Sequence, residues 1–264
     1  MGKKPLVLVA DDQMVNQKIY SMILEKLDAG YILVNDGQDA LEAVREKDPD
    51  LVFMDIEMPK MNGLDSAKKI RELGFKKPII AVTANQQPNE LKECFDAGMN
   101  EILIKPIKSF DIERTLKKWM ENPGGKLPQD GTISMEAENK NTGKKNTIFD
   151  LDDLLDTFLH NEEAVLPLLT RFIERTKTQL ENIPLLGAKG DWENAHRDAH
   201  TIKGAAFTMG GAALGNAAAN LETACKNADS GEVKAALPAV NDAFLKYKKA
   251  ALDYIQSRNP AGAK

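Results

Sequence analysis

The chain has 264 residues, 42% of them hydrophobic and 28% charged, with a formal net charge of −5 at pH 7. Such a length holds one large domain or two of ordinary size, and the acidic balance argues against a dedicated nucleic-acid binder, which would be basic. No apolar run approaches the ~20 residues of a membrane span, and two distant cysteines, Cys94 and Cys225, in no metal-type spacing read as buried, reduced small hydrophobes.

The opening "MGKKPLVLVADDQ" is basic, but its apolar run is too short for a signal peptide and stops at Asp11 and Asp12. A cytoplasmic location is therefore expected. Residues 5–10, 30–34, 50–55, 78–83 and 101–104 are short apolar runs that read as buried strands. Amphipathic segments lie between them, such as Val15, Ile19, Met22, Ile23 and Leu27, or Ala40, Leu41 and Val44. Strands alternating with helices predict a doubly wound, five-stranded parallel α/β sheet, in which ligands sit at the carboxyl ends of the strands.

Those ends carry the chemistry. The first strand closes with Asp11 and Asp12, the third with Asp55, the fourth with Thr83, and the fifth with Lys105 followed by Pro106. Three carboxylates on one edge repel one another unless a cation intervenes, and Mg²⁺ suits an all-oxygen site that keeps room for water and phosphate. A hydroxyl and an ammonium alongside would hold the oxygens of a phosphoryl group in transfer, with Asp55 as the nucleophile. Taken singly, each residue has a plainer reading: a helix cap, a strand threonine, a surface lysine. Together, at the correct strand ends, they point to phosphoryl transfer.

"LVADDQMVNQ", "VFMDIEMPKMNGLD", "IIAVTA" and "ILIKPI" resemble the motifs of receiver domains of two-component response regulators, over roughly residues 4–121. The resemblance implies that Asp55 accepts phosphate. It also implies that Asp12, Asp55 and the Glu57 backbone carbonyl bind Mg²⁺, with Asp11 acting mainly through water, and that Thr83 and Lys105 contact the phosphoryl oxygens. One position departs from the pattern. Many receivers carry an aromatic ring three residues before the lysine, and here that position is Ile102. A phosphatase of the haloacid dehalogenase type, which uses similar logic, would want Asp where Glu57 stands.

From residue 122 to 146 the sequence is rich in Gly, Pro, Asn and Lys without usable period, and reads as a linker. Its ends would stand about 25–30 Å apart on average. Beyond it, four apolar stripes at helical spacing predict a four-helix bundle over 147–258, preceded by a short helix near 150–159 and followed by a tail, 259–264. The stripes are Val165 to Leu180, Trp192 to Met209, Leu214 to Cys225 and Val240 to Tyr254. Pro167 and Pro238 each mark a first turn or a kink.

The second half also holds all 3 histidines, and His200 stands in "AHTIKGAA". Ala199, Ile202 and Ala206 define the inward stripe, so His200 is expected at the helix edge or outside. As metal ligands, His196 and His200 have helical spacing, but the intervening "RDA" lacks the glutamate of a zincin and no third ligand is evident. A third reading is an exposed imidazole that attacks phosphorus, with Lys203 offsetting the phosphate charge and Gly204 removing steric crowding. This stretch, with "GDWENAHRD" and "LGNAAANLE" around it, is similar to the histidine phosphotransfer (HPt) motif, over about 147–257. The resemblance implies that His200 is phosphorylated, supported by Lys203 and Gly204.

Together the two resemblances imply a phosphorelay protein. An upstream sensor histidine kinase would phosphorylate Asp55, and phosphate would pass between Asp55, His200 and a downstream or partner receiver domain, in cis or between molecules. Neither nucleic acid nor membrane is an expected partner. No P-loop or kinase-type ATP motif appears in this sequence, so the chain is not expected to consume ATP itself. The alternative is a phosphorylation-switched binding module whose bundle only docks partners.

Overall fold

The computed structural model describes residues 4–84, 87–121 and 146–258, which fall into two compact units, one on each side of the interval 122–145. The linker expected at 122–146 lies outside the described residues except for Asn146.

The first unit alternates strand and helix throughout. Strands β1 (Leu6–Ala10), β2 (Gly30–Val34), β3 (Leu51–Asp55), β4 (Ile79–Thr83) and β5 (Glu101–Ile104) pair in parallel in the order β2-β1-β3-β4-β5. Helices α1 (Met14–Lys26), α2 (Gly37–Lys47), α3 (Gly63–Glu72), α4 (Pro88–Asp96) and α5 (Ser109–Glu121) make the connections. Because side chains alternate along a strand, Leu8, Ala10, Val52, Met54, Ile79 and Ala81 join a core with the apolar faces of α2, α3 and α4. The alternate positions, including Val9, Phe53 and Val82, are equally buried. On α1 the buried face is Asn16, Ile19, Tyr20, Ile23 and Leu24, rotated from the stripe expected from Val15, Met22 and Leu27. The polar Asn16 and Tyr20 hid that face from a hydrophobic pattern.

Chain turns at the sheet's carboxyl edge are tight. Asn62 caps α3 through a 2.8 Å bond from the Asp65 amide, and the Gly63 amide donates to the Ile56 carbonyl at 2.9 Å. A Cβ on Gly63 would stand 2.1 Å from the Asp55 carbonyl oxygen. Only glycine lets the α3 N-terminus approach β3 this closely.

The second unit is helical. After the short α6 (Leu151–Thr157) come α7 (Glu162–Ala188), α8 (Trp192–Thr208), α9 (Ala212–Lys226) and α10 (Ser230–Arg258). Contacts run α7 to α8, α8 to α9, α9 to α10 and α10 to α7, which closes a four-helix bundle. Every expected stripe is buried apart from the half-buried Trp192 and Ala217. Pro167 and Pro238 lie inside α7 and α10, and so does Pro184, which the sequence reading passed over. A strap ahead of α6 ties the bundle end: Asp150 donates its amide to the Gly210 carbonyl at 2.8 Å, and Thr147 accepts from the Ala213 amide at 3.0 Å. Phe149 stacks edge-on against Tyr247, whose hydroxyl donates to the Met209 carbonyl at 2.8 Å.

The Gly63 contact makes a direct prediction. Gly63→Ala is expected to destabilise the first unit by about 2–3 kcal/mol, the range for overpacking a tight site. Urea denaturation followed at backbone amides by NMR would measure it, with the helical unit unchanged.

Candidate functional site

Strand order determines which side chains meet. β1 and β3 are neighbours at the centre of the sheet, so Asp11, Asp12 and Asp55 converge, with carboxylate oxygens within 4.8 Å of one another. β5 lies two strands from β3, and Lys105 leaves its end to reach back across the end of β4, where Thr83 sits buried. Lys105 Nζ is 2.5 Å from Asp55 Oδ2 and 3.5 Å from Asp11 Oδ2. All three groups are shielded from solvent, with side-chain exposures of 7% for Lys105 and 2% for each aspartate. Burial opposes the lysine charge, but Asp11 and then Asp55 outweigh it and hold the Lys105 pKa above the ordinary lysine value. The plain reading of Lys105 as a surface charge is thus ruled out.

The supporting bonds explain why the carboxylates stay in place. Asp11 Oδ1 accepts from the Gln13 amide at 2.8 Å, and both Asp11 oxygens accept from Asn16 Nδ2, at 3.1 and 2.9 Å. Gln17 Nε2 donates to the Asp11 carbonyl at 2.7 Å. Asp55 Oδ1 accepts from the Glu57 amide at 3.2 Å. Asn16 and Gln17 lie inside "LVADDQMVNQ", yet carried no assignment from sequence; their spacing from Asp11, one helical turn into α1, was the available signal. Beneath the cluster, Tyr20 packs on Phe53 at 5.0 Å between ring centroids. Burial, then the charges of Asp11, Asp55 and Asp111, push its phenol well above the ordinary tyrosine range. An all-oxygen donor set beside a single lysine matches a hard divalent cation such as Mg²⁺.

In the helical unit His200 departs from expectation. It is not an edge residue: it is 4% exposed. It faces α9, against which α8 packs. Thr201, Gly204 and Ala205 on α8 are buried as well. His200 Nδ1 lies 2.6 Å from Glu222 Oε1 on α9, and Lys203 Nζ reaches both Glu222 oxygens, at 2.8 and 2.6 Å. Lys203 thus sits on a carboxylate one turn from the imidazole. Burial raises the Glu222 pKa, but the hydrogen bond from His200, its charge, and Lys203 more than offset this and hold the carboxyl below the ordinary glutamate range. An ionised carboxylate only accepts, so Nδ1 carries the proton, and Nε2 is the nitrogen that bears the lone pair when the ring is neutral. Glu222 was missed in the sequence, where its signal was a lone acid bordering the small apolar face Leu214, Ala218, Leu221 and Cys225. His160 is a surface residue, 3.1 Å from Asp156.

Two family models match the chain, one in each unit. Residues 7–117 match the family model "Response regulator receiver domain", and residues 167–256 match "Hpt domain". The sensor histidine kinase GacS of Pseudomonas protegens is 28% identical over 234 residues, covering 87% of this chain and 25% of that protein. The osmosensing histidine protein kinase SLN1 of Saccharomyces cerevisiae is 38% identical over 127 residues, covering 46% and 10% respectively. The chain thus spans a quarter or less of the length of these two relatives. Among solved structures, the receiver domain of sensor histidine kinase PA1611 from Pseudomonas aeruginosa PAO1, described with a magnesium ion in its active site cleft, is 33% identical with a TM-score of 0.42. That match covers 45% of this chain and 99% of that one. No helix among the described residues is long and apolar enough to cross a membrane.

The Glu222 couple sets a pH dependence. Its pKa is depressed in the folded state, so its stabilisation is present above the unfolded value of about 4.3 and is lost as pH falls through the folded value. Glu222→Gln is expected to cost the bundle about 2 kcal/mol near neutral pH. The difference from the parent chain should start to shrink as pH falls below about 4.3 and vanish once the folded carboxyl is protonated, as read from urea curves of bundle amides.

Proposed function

We propose, for a chain that carries a response regulator receiver domain followed by an Hpt domain, that Asp55 and His200 are consecutive phosphoacceptors of a phosphorelay. Three carboxylates held within 4.8 Å at one sheet edge with Lys105 between them carry this reading. Domains of these two classes exchange phosphoryl groups with kinases and with other receivers, and an upstream sensor histidine kinase and a partner receiver are the partners we assign.

Asp12, Asp55 and the Glu57 carbonyl would hold Mg²⁺, with Asp11 acting through water. When bound, the ion supplies neutralisation of the charge on the transferring group. The remaining work falls to side chains of the chain itself. An Asp55 carboxylate oxygen attacks phosphorus as the P–N bond of a donor phosphoimidazole breaks, and the imidazole leaves neutral with its other nitrogen still protonated. Lys105 shifts from Asp55 to the incoming phosphoryl oxygens, and Thr83 donates its hydroxyl to them.

At His200 the same exchange runs from the imidazole side. Nε2 attacks the phosphorus of a receiver acyl phosphate, the P–O bond breaks, and the receiver carboxylate is regenerated. Nδ1 keeps its proton throughout, and Glu222 stabilises the positive ring that forms. Lys203 then lies within one helical turn of the new phosphate, and Gly204 leaves room for the partner.

Labelling the full chain with a small phosphodonor and Mg²⁺ tests the assignment. Base-labile label is expected in the parent, and none in Asp55→Ala or after chelation of the metal. Acid-labile label is expected to depend on His200 and to vanish in His200→Gln. Acid-labile label on an Asp55→Asn chain mixed with labelled His200→Gln at dilute protein would show transfer between molecules. Unchanged base-labile label in Asp55→Ala would refute the acceptor assignment.

A further inference from the structure

The loop joining β3 to α3, residues 56–62, presents the Glu57 backbone beside Asp55, and it is fastened from a direction no motif announces. Asp36, 1% exposed, caps α2: its Oδ1 accepts from the amides of Gln38 and Asp39 at 3.0 and 2.9 Å. Its other oxygen, Oδ2, reaches out of α2 to Lys60 Nζ at 2.6 Å, in the middle of that loop. Lys60 itself holds a left-handed backbone, φ 61°, a conformation that costs a non-glycine residue energy and persists only where surroundings enforce it.

Two further bonds tie the start of α2 to this loop and to the first turn of α3. The Gly37 amide donates to the Met61 carbonyl at 3.0 Å, and Ser66 Oγ donates to the Gly37 carbonyl at 2.8 Å. A Cβ at Gly37 would stand 2.5 Å from the Met61 oxygen and 3.0 Å from the Asn62 oxygen. At the far end, Gly63 closes the loop on Ile56. Burial alone would raise the Asp36 carboxyl, yet Lys60 and the two amides hold it below the ordinary aspartate range.

What does this fastening do? As a contribution to stability the ion pair is minor, because the Lys60 side chain is 71% exposed and water and salt screen exposed pairs. Position is the better account. We propose that the Asp36–Lys60 pair is a positioning device for the divalent-cation site, setting the 56–62 backbone so that the Glu57 carbonyl meets the ion together with Asp12 and Asp55. This inference rests on the metal site assigned above.

Charge and position make opposite predictions for Lys60. If the lysine acted only through its field, removing a positive charge near an acidic site would tighten Mg²⁺ binding. If it positions the loop, removal weakens binding. The test is an NMR titration of the full chain with Mg²⁺ alone, read from the Ile56 and Glu57 amides, without any phosphodonor. Lys60→Met is expected to weaken Mg²⁺ affinity about fivefold, less than the ~10–100-fold typical of groups bonded directly to a metal ligand.

Asp36→Asn keeps Oδ1 as the α2 cap and is expected to give a similar loss, while the double variant loses no more than either single one. Lys60→Arg should restore most of the affinity. Equal or tighter binding by Lys60→Met, or strictly additive losses, would overturn the positioning role. A parent chain whose amides do not respond to Mg²⁺, or respond equally in Asp55→Asn, would overturn the metal site itself, a result distinct from either.

Discussion

The receiver unit is organised around an electrostatic conflict. A parallel sheet that buries its strands on both faces ends three acidic side chains at one edge, where their charges oppose one another. Lys105 resolves the conflict in the described structure by lying 2.5 Å from Asp55 and 3.5 Å from Asp11. The order β2-β1-β3-β4-β5 makes this possible, because it sets the acids on adjacent central strands and the lysine on an outer one. A movable cation thus stands against a fixed anion. In the proposed transfer, an incoming phosphoryl group would offer Lys105 a new partner and a divalent ion would take its place beside the carboxylates.

The helical unit arranges the same functional groups differently. Here one carboxylate, Glu222, is shared by an imidazole and an ammonium, at 2.6 Å to each. In the proposed relay the receiver's acid is the acceptor and its base the support; in the bundle the base is the acceptor and the acid the support.

Much of this was legible in the sequence. The five strands, the strand-end residues and the four helical stripes follow from periodicity and spacing, because each concerns neighbours along the chain. Hidden were relations between elements. Glu222 lies 22 positions from His200, and Asp36 lies 24 from Lys60. Each such pair joins two helices or two loops whose approach depends on packing rather than on local pattern. The pairing of His200 with Glu222 was hidden for a related reason. A single stripe describes a helix with one neighbour, whereas α8 has two, and polar residues that pair across the second interface look solvent-facing in a hydrophobic reading. On α1, Asn16 and Tyr20 misled in the same way.

The strap ahead of α6 has a consequence for how the imidazole is aligned. Asp150 bonds the Gly210 carbonyl, and Gly210 sits at φ 72° in the turn between α8 and α9, where a Cβ would collide with the Asp150 carbonyl oxygen at 2.5 Å. That turn fixes the axial offset of the two helices that supply His200 and Glu222. The Hpt match starts at residue 167, well after Asp150, so a fragment cut at the family boundary would keep both residues of the couple but lose the brace that indexes one helix against the other.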